Sequence, residues 1–167
     1  NMRSLKENTI DVLIAPTWST DFFSSKLYLK ICELIKKNNI SYNFRPHPMS
    51  LKKKEISHKD LANNSIVVNY DDNLNYNNYR LLISDWSGIF IEFYLMKKNV
   101  ILIDTKKKVL NLNYKQYSND TAEIFLRNKI NKRYNQHNFE NIIIDIKKII
   151  NQKEDEPNKI DKFYFEL

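Results

Sequence analysis

Short apolar runs recur along the chain at 12–15, 42–44, 66–68, 81–83 and 100–103. Each is of strand length. Several are continuously apolar, as in strands buried on both faces of a parallel sheet. Between them, apolar residues recur at helical spacing. Over 23–38, Leu27, Ile31, Leu34 and Ile35 fall on one face. Over 86–97, Ile89, Phe93 and Met96 do the same, with Phe90 beside them. Ala122, Phe125, Leu126 and Ile130 mark a further helix, and Phe139, Ile142, Ile143, Ile146, Ile149 and Ile150 form the most regular stripe. The segment 51–62 is polar and weakly periodic, and 70–79 is Asn-rich and reads as a loop or a short helix.

Strands alternating with helices imply right-handed βαβ units and a parallel sheet covered on both sides. The predicted fold class is therefore α/β, a Rossmann-like parallel sheet flanked by helices. One domain spans 1–167, with its core at about 10–152 and a tail at 153–167. Pro157 breaks the last long helix, and Phe163, Tyr164 and Phe165 are expected to pack back on the protein.

Composition narrows the function. Apolar residues make up 42% of the chain, enough for a packed core and against intrinsic disorder. The formal net charge of +7 favours anionic ligands: nucleotides, polyphosphates, nucleic acid or an anionic membrane surface. Lysine groups such as Lys52-Lys53-Lys54 and Lys106-Lys107-Lys108 read first as solvated faces. No aromatic-plus-basic ribonucleoprotein signature is present, so nucleic acid is not the expected partner. The one cysteine, Cys32, sits in an apolar helical pattern and reads as a small hydrophobe, which excludes an internal disulfide. His47, His58, His137 and Cys32 show no metal-ligand spacing. No apolar run approaches the ~20 residues of a membrane span, and no signal peptide opens the sequence. A cytoplasmic protein is expected, able to rest at the inner face of the membrane.

Glycine occurs once, at Gly88. A G-x-G-x-x-G turn and a Walker phosphate loop are both absent, which argues against the usual NAD, FAD or P-loop chemistry. In a doubly wound sheet, ligands sit beyond the carboxyl ends of the strands. Three polar clusters fall there: Thr17, Ser19 and Thr20; Arg45, His47 and Ser50; and Ser84, Asp85, Ser87 and Gly88. The last cluster opens a helix, where N–H groups and the helix dipole favour a phosphate. Simple capping of that helix by Ser84, Asp85 or Ser87 is the competing reading. Pro46 and Pro48 flank His47 and hold its backbone, which suits a general acid or base or a phosphate contact. A structural turn around a satisfied histidine would look the same.

Four motifs join these clusters. They are Val12-Leu13-Ile14-Ala15-Pro16-Thr17-Trp18, Arg45-Pro46-His47-Pro48, Leu82-Ile83-Ser84-Asp85-Trp86-Ser87-Gly88 and Asn99-Val100-Ile101-Leu102-Ile103-Asp104. In this order and spacing they resemble the CDP-glycerol glycerophosphotransferase family of teichoic acid and capsule enzymes, over roughly 11–130. The resemblance implies the C-terminal, donor-binding half of a GT-B fold, with an N-terminal domain supplying the acceptor contacts. It implies a nucleotide-diphosphate donor such as CDP-glycerol, and a polyol-phosphate or glycan acceptor that is membrane-linked in such systems. No cofactor or metal is implied. His47 and Asp85 become the catalytic candidates, Asp85 by fixing its turn rather than by taking protons. Thr17, Arg45, His47, Ser84, Asp85, Ser87 and Gly88 become the donor and phosphate contacts. Two departures stand out: Trp86 and Gly88 occupy positions that are Tyr and Ser in the commonest teichoic-acid version.

Two rival readings share much of this pattern. A GT-B glycosyltransferase or sugar-nucleotide epimerase using a UDP-sugar would have the same sheet and helix-terminus phosphate site. A non-catalytic Rossmann-like module binding an anionic partner would share the sheet and the charge.

Overall fold

A computed structural model describes residues 9–18, 21–57, 59–60, 64, 74–106 and 121–151. In chain order the elements are β1 (Ile10–Ile14), α1 (Asp21–Ser24), α2 (Leu27–Lys37), β2 (Tyr42–Phe44), α3 (Pro48–Lys52), β3 (Tyr79–Ser84), α4 (Ile89–Leu95), β4 (Asn99–Ile103), α5 (Ala122–Lys129), β5 (Arg133–Tyr134) and α6 (Ile142–Asn151). The described strands form one five-stranded sheet in the order β2-β1-β3-β4-β5, every pair parallel. The expected α/β layout is thus present.

The continuous apolar runs follow from burial on both faces, because successive side chains in a strand point to opposite sides. Val12, Ile14, Leu81, Ile83, Ile101 and Ile103 face one layer, packed on Phe22, Leu27, Ile31 and Ile35 of α1 and α2 and on Ile142, Ile146 and Ile149 of α6. Leu13, Leu82, Val100 and Leu102 face the other, packed on Phe90 and Phe93 of α4 and on Ile130. Fully burying one such side chain stabilises the fold by roughly 1.5–3 kcal/mol.

Several sequence expectations are modified. The helix expected over 23–38 is two, since Lys26 adopts a left-handed φ of 53° and breaks it between α1 and α2. The helix expected over 86–97 begins only at Ile89 and ends at Leu95, where Met96 is 45% exposed and Lys97 turns left-handed at φ 59°. Its buried face is therefore Phe90 and Phe93, not Met96. In α5, Phe125 is 38% exposed while Arg127 is 2% exposed; of the expected stripe, Leu126 and Ile130 do pack on the core. The polar segment 51–62 opens at the end of the short α3, Lys59 and Asp60 are helical again, and Tyr76–Asn78 is a single 3₁₀ turn. The expected strand at 66–68, His58 and the tail at 153–167 lie outside the described residues. Cys32 is fully buried, and burial pushes its thiol up from 9.0 to about 12. No helix among the described residues is long and apolar enough to cross a membrane.

The topology opens a crevice. The chain leaving β1 reaches β2 through α1 and α2 on one face of the sheet, whereas the chain leaving β3 reaches β4 through α4 on the other. Because β1 and β3 are neighbours, their exits diverge at the carboxyl edge. Such a switch point is where doubly wound sheets bind ligands.

Candidate functional site at the switch point

The loops after β1, β2 and β3 meet at this edge. Ladder bonds carry past the strand ends: Ala15 N–H donates to the Ile83 carbonyl at 3.0 Å, and Arg45 N–H donates to the Ile14 carbonyl at 2.8 Å. Beyond them, side chains join the loops. Thr17 N–H donates to Asp85 Oδ1 at 2.7 Å, so the third loop holds the first. Ser84 Oγ donates to the Ala15 carbonyl at 2.7 Å, a second bridge between the same two segments. Trp18, next in the first loop, lies 6.3 Å from the His47 ring, with the two planes inclined at 38°. Lys53 Nζ sits 4.3 Å from the Trp18 ring centroid, within cation–π range.

His47 is the N-cap of α3, and its Nδ1 accepts the Met49 N–H at 3.1 Å. Pro48 fits the first helical position because its missing N–H is not needed there. An accepting Nδ1 carries no proton, so the neutral ring bears its proton on Nε2. Proline flanks and cap bond together fix the imidazole.

Ser84 and Asp85 are fully buried. The single Ser84 hydroxyl proton is committed to Ala15, so toward a ligand its oxygen is left only as an acceptor. The Asp85 carboxylate acts on the loop after β1, through the Thr17 N–H. Ser87 is half-buried and Gly88 exposed at the start of α4. The N-cap of that helix is Gly88, which has no side chain to cap it. Gly88 has φ −56°, an ordinary helical value, and among the described residues a Cβ there would meet nothing within 4 Å. Backbone strain therefore does not require glycine at this position, nor does packing among the described residues.

Arg45 is half-buried at the end of β2. It lies close enough to Tyr76 to oppose the rise of that phenol, which burial and then the Glu92 carboxylate push from 10.0 to about 12. The Tyr76 ring rests 5.0 Å from Phe93 of α4, so Arg45 belongs to the α4 side of the crevice.

Behind the turn stands a group of charges that sequence reasoning did not select. Arg127 from α5 donates through Nη1 to the Asp85 carbonyl and through Nη2 to Asp104 Oδ1 at 3.1 Å. Arg133 of β5 grips the same carboxylate, Nε at 3.1 Å and Nη2 at 2.8 Å. The Arg127 guanidinium lies 3.9 Å from the Trp86 ring centroid, and Trp86 Nε1 donates to the Thr105 carbonyl at 3.0 Å. Asp104 had a usable signal, since it follows an apolar run at the carboxyl edge. Arg127 had none, because its spacing places it beside an apolar stripe like any surface arginine. A cleft of about 240 Å³ lies alongside, lined in part by Asp21, Asp104, Thr105, Lys106 and His137. Among the described residues, no group of three or more His, Cys, Asp or Glu side chains is placed to hold a metal.

No family model matches this chain, and neither does a curated protein or a solved structure. The arrangement of the loops, together with the four motifs they carry, is what points to function.

Proposed function

We propose that this chain is the donor-binding domain of a glycerophosphotransferase-like enzyme of GT-B architecture. It would transfer a polyol phosphate from a CDP-activated donor to a cell-surface polymer, in teichoic acid or capsule synthesis. One observation carries the reading: the first loop is tied to both others, through Thr17 to Asp85 and through Trp18 to His47, so all three polar clusters share one crevice.

The chemistry follows from the residues. The donor pyrophosphate lies against the Ser87–Gly88 turn, whose open approach admits phosphate oxygens. Arg45 adds positive charge to the crevice. An acceptor hydroxyl attacks the phosphorus of the transferred group, its bond to the bridging oxygen breaks, and the nucleotide monophosphate leaves. With Nδ1 occupied by Met49 N–H, His47 offers Nε2–H to a phosphate oxygen. It therefore stabilises charge on the transferred phosphate rather than removing the acceptor proton. The acceptor and its base belong to the facing domain.

Calorimetric titration with CDP, CMP, UDP, UDP-sugars and RNA tests the reading, beside a radiolabelled-donor transfer assay. Cytidine nucleotides should bind weakly and transfer should be absent, because one wall of the cleft cannot orient an acceptor. Preference for a UDP-sugar would instead support a sugar transferase or epimerase. Salt-sensitive RNA binding without nucleotide affinity would support an anion-binding module. Robust transfer by these 167 residues would overturn the half-site assignment.

A further inference from the structure

Among the described residues, Arg127 is the buried basic side chain, 2% exposed. Removing a guanidinium from water is costly unless its donors are satisfied. Desolvation accordingly lowers its pKa, opposed first by Asp104. Contacts with the Asp85 carbonyl, the Asp104 carboxylate, the face of Trp86 and, more distantly, the Phe90 ring offset the burial. Asp104 does not depend on Arg127 for charge balance. Its side chain is 38% exposed and already held by both Arg133 Nε and Nη2. Unlike Arg133, Arg127 also reaches residues 85 and 86. Its planar fork takes the Asp85 carbonyl while its face lies over the Trp86 indole, whose other edge is fixed by the Thr105 carbonyl. Ser87 and Gly88 come next in the chain.

We propose that Arg127 is a positioning residue for the anion-binding turn: it clamps the Asp85 carbonyl and the Trp86 ring so that the Ser87 and Gly88 amides face the donor phosphate. The proposal rests on the proposed function. It also gives Trp86 a purpose, as the platform that lets a buried guanidinium reach the turn. Lysine cannot replace Arg127, because an ammonium supplies neither the planar fork nor the stacking face.

The test compares Arg127→Lys, Arg127→Met and Trp86→Leu with Arg133→Lys, which alters the grip on Asp104 but does not touch the turn. CDP affinity is measured by calorimetry well below each melting temperature, and indole N–H exchange of Trp86 by NMR. Both Arg127 variants should weaken CDP binding about tenfold or more, the scale of one lost hydrogen bond to a charged group. Indole exchange should accelerate in parallel. Trp86→Leu should reproduce the affinity loss from the other side of the stack, which keeps the test decisive if an Arg127 variant does not fold. Combining Trp86→Leu with Arg127→Lys should cost little beyond the worse single change. Arg133→Lys should lower the melting temperature while leaving affinity within about threefold. Folded Arg127 variants that bind CDP like the wild type would overturn the proposal. So would an affinity loss in Arg133→Lys equal to that in Arg127→Lys, since the effect would then be general loosening. Absence of any nucleotide binding by the wild-type chain is a separate result: it removes the proposed function, and the positioning role with it.

Discussion

The Thr17 backbone N–H and the Asp85 carboxylate, 68 positions apart in sequence, meet at 2.7 Å. The bond gives a buried acid a donor and gives a loop beyond a strand end a fixed anchor. Asp85→Ala should destabilise the domain by about 1–3 kcal/mol, the cost of leaving a poorly solvated N–H unpaired. Asp85→Asn keeps an acceptor oxygen, and the bond from Arg127 goes to the main chain, so it should cost less. Urea denaturation separates the two. Equal damage from both would show that the charge, not the hydrogen bond, matters.

His47 combines a structural and a chemical role, and the two separate by substitution. His47→Ala removes the cap on α3 and should cost about 0.5–2 kcal/mol. His47→Asn retains a capping oxygen while removing the imidazole. In the complete two-domain enzyme, both should lower turnover about tenfold or more. Normal turnover in folded His47→Asn would take His47 out of the mechanism.

Gly88 tests the phosphate approach without disturbing the fold. Its φ of −56° is open to any residue, and no described residue lies within 4 Å of where its Cβ would be. Gly88→Val should therefore change stability by no more than about 1 kcal/mol. It should weaken nucleotide binding about tenfold, because its branched side chain occupies the open approach. Unaltered affinity would move the phosphate elsewhere.

Alkaline stability has a defined sign. Burial, then the Asp145 carboxylate, raises the Tyr134 phenol from 10.0 to about 12; burial, then Glu92, does the same for Tyr76. A raised folded-state value means that these groups stabilise the fold fully below about pH 10. Their contribution is lost as pH rises toward about 12. Thermal melts should fall across that window. Tyr134→Phe, which loses the 2.9 Å bond to Asp145, should start lower at neutral pH but decline less steeply. A parallel decline would exclude Tyr134 as a contributor.

Much of the sheet is legible in one dimension. A stretch of strand covered on both faces is apolar at successive positions, and the inner parts of β1 (12–14), β3 (81–83) and β4 (100–103) are read directly from that requirement. The same reasoning misses β5, which is only Arg133 and Tyr134. Its place comes from main-chain bonds to β4, Leu102 N–H to Lys132 and Asp104 N–H to Tyr134, and backbone pairing leaves no mark on side-chain pattern. The break at Lys26 is hidden for a similar reason: apolar spacing continues across it, while a left-handed residue is tolerated by the loop.

For the site, the sequence by itself determined which loops carry polar residues, since a carboxyl-edge position follows from the end of each apolar run. That reasoning places Thr17, Arg45, His47, Ser84, Asp85, Ser87 and Gly88 at the carboxyl edge. Only the tertiary structure decided their division of labour. It turned Ser84 and Asp85 inward as ties between loops, made His47 a cap with its proton on Nε2, and left Gly88 exposed, with no described residue against its Cβ position. It also brought Arg127 beneath Trp86, a partnership between residues 41 positions apart in sequence. Helical spacing ranks positions by hydrophobicity and so assigns a guanidinium to solvent. Arg127 is instead buried because α5 passes where the Asp104 carboxylate, the Asp85 carbonyl and the Trp86 indole face converge, and that convergence exists only in the folded chain.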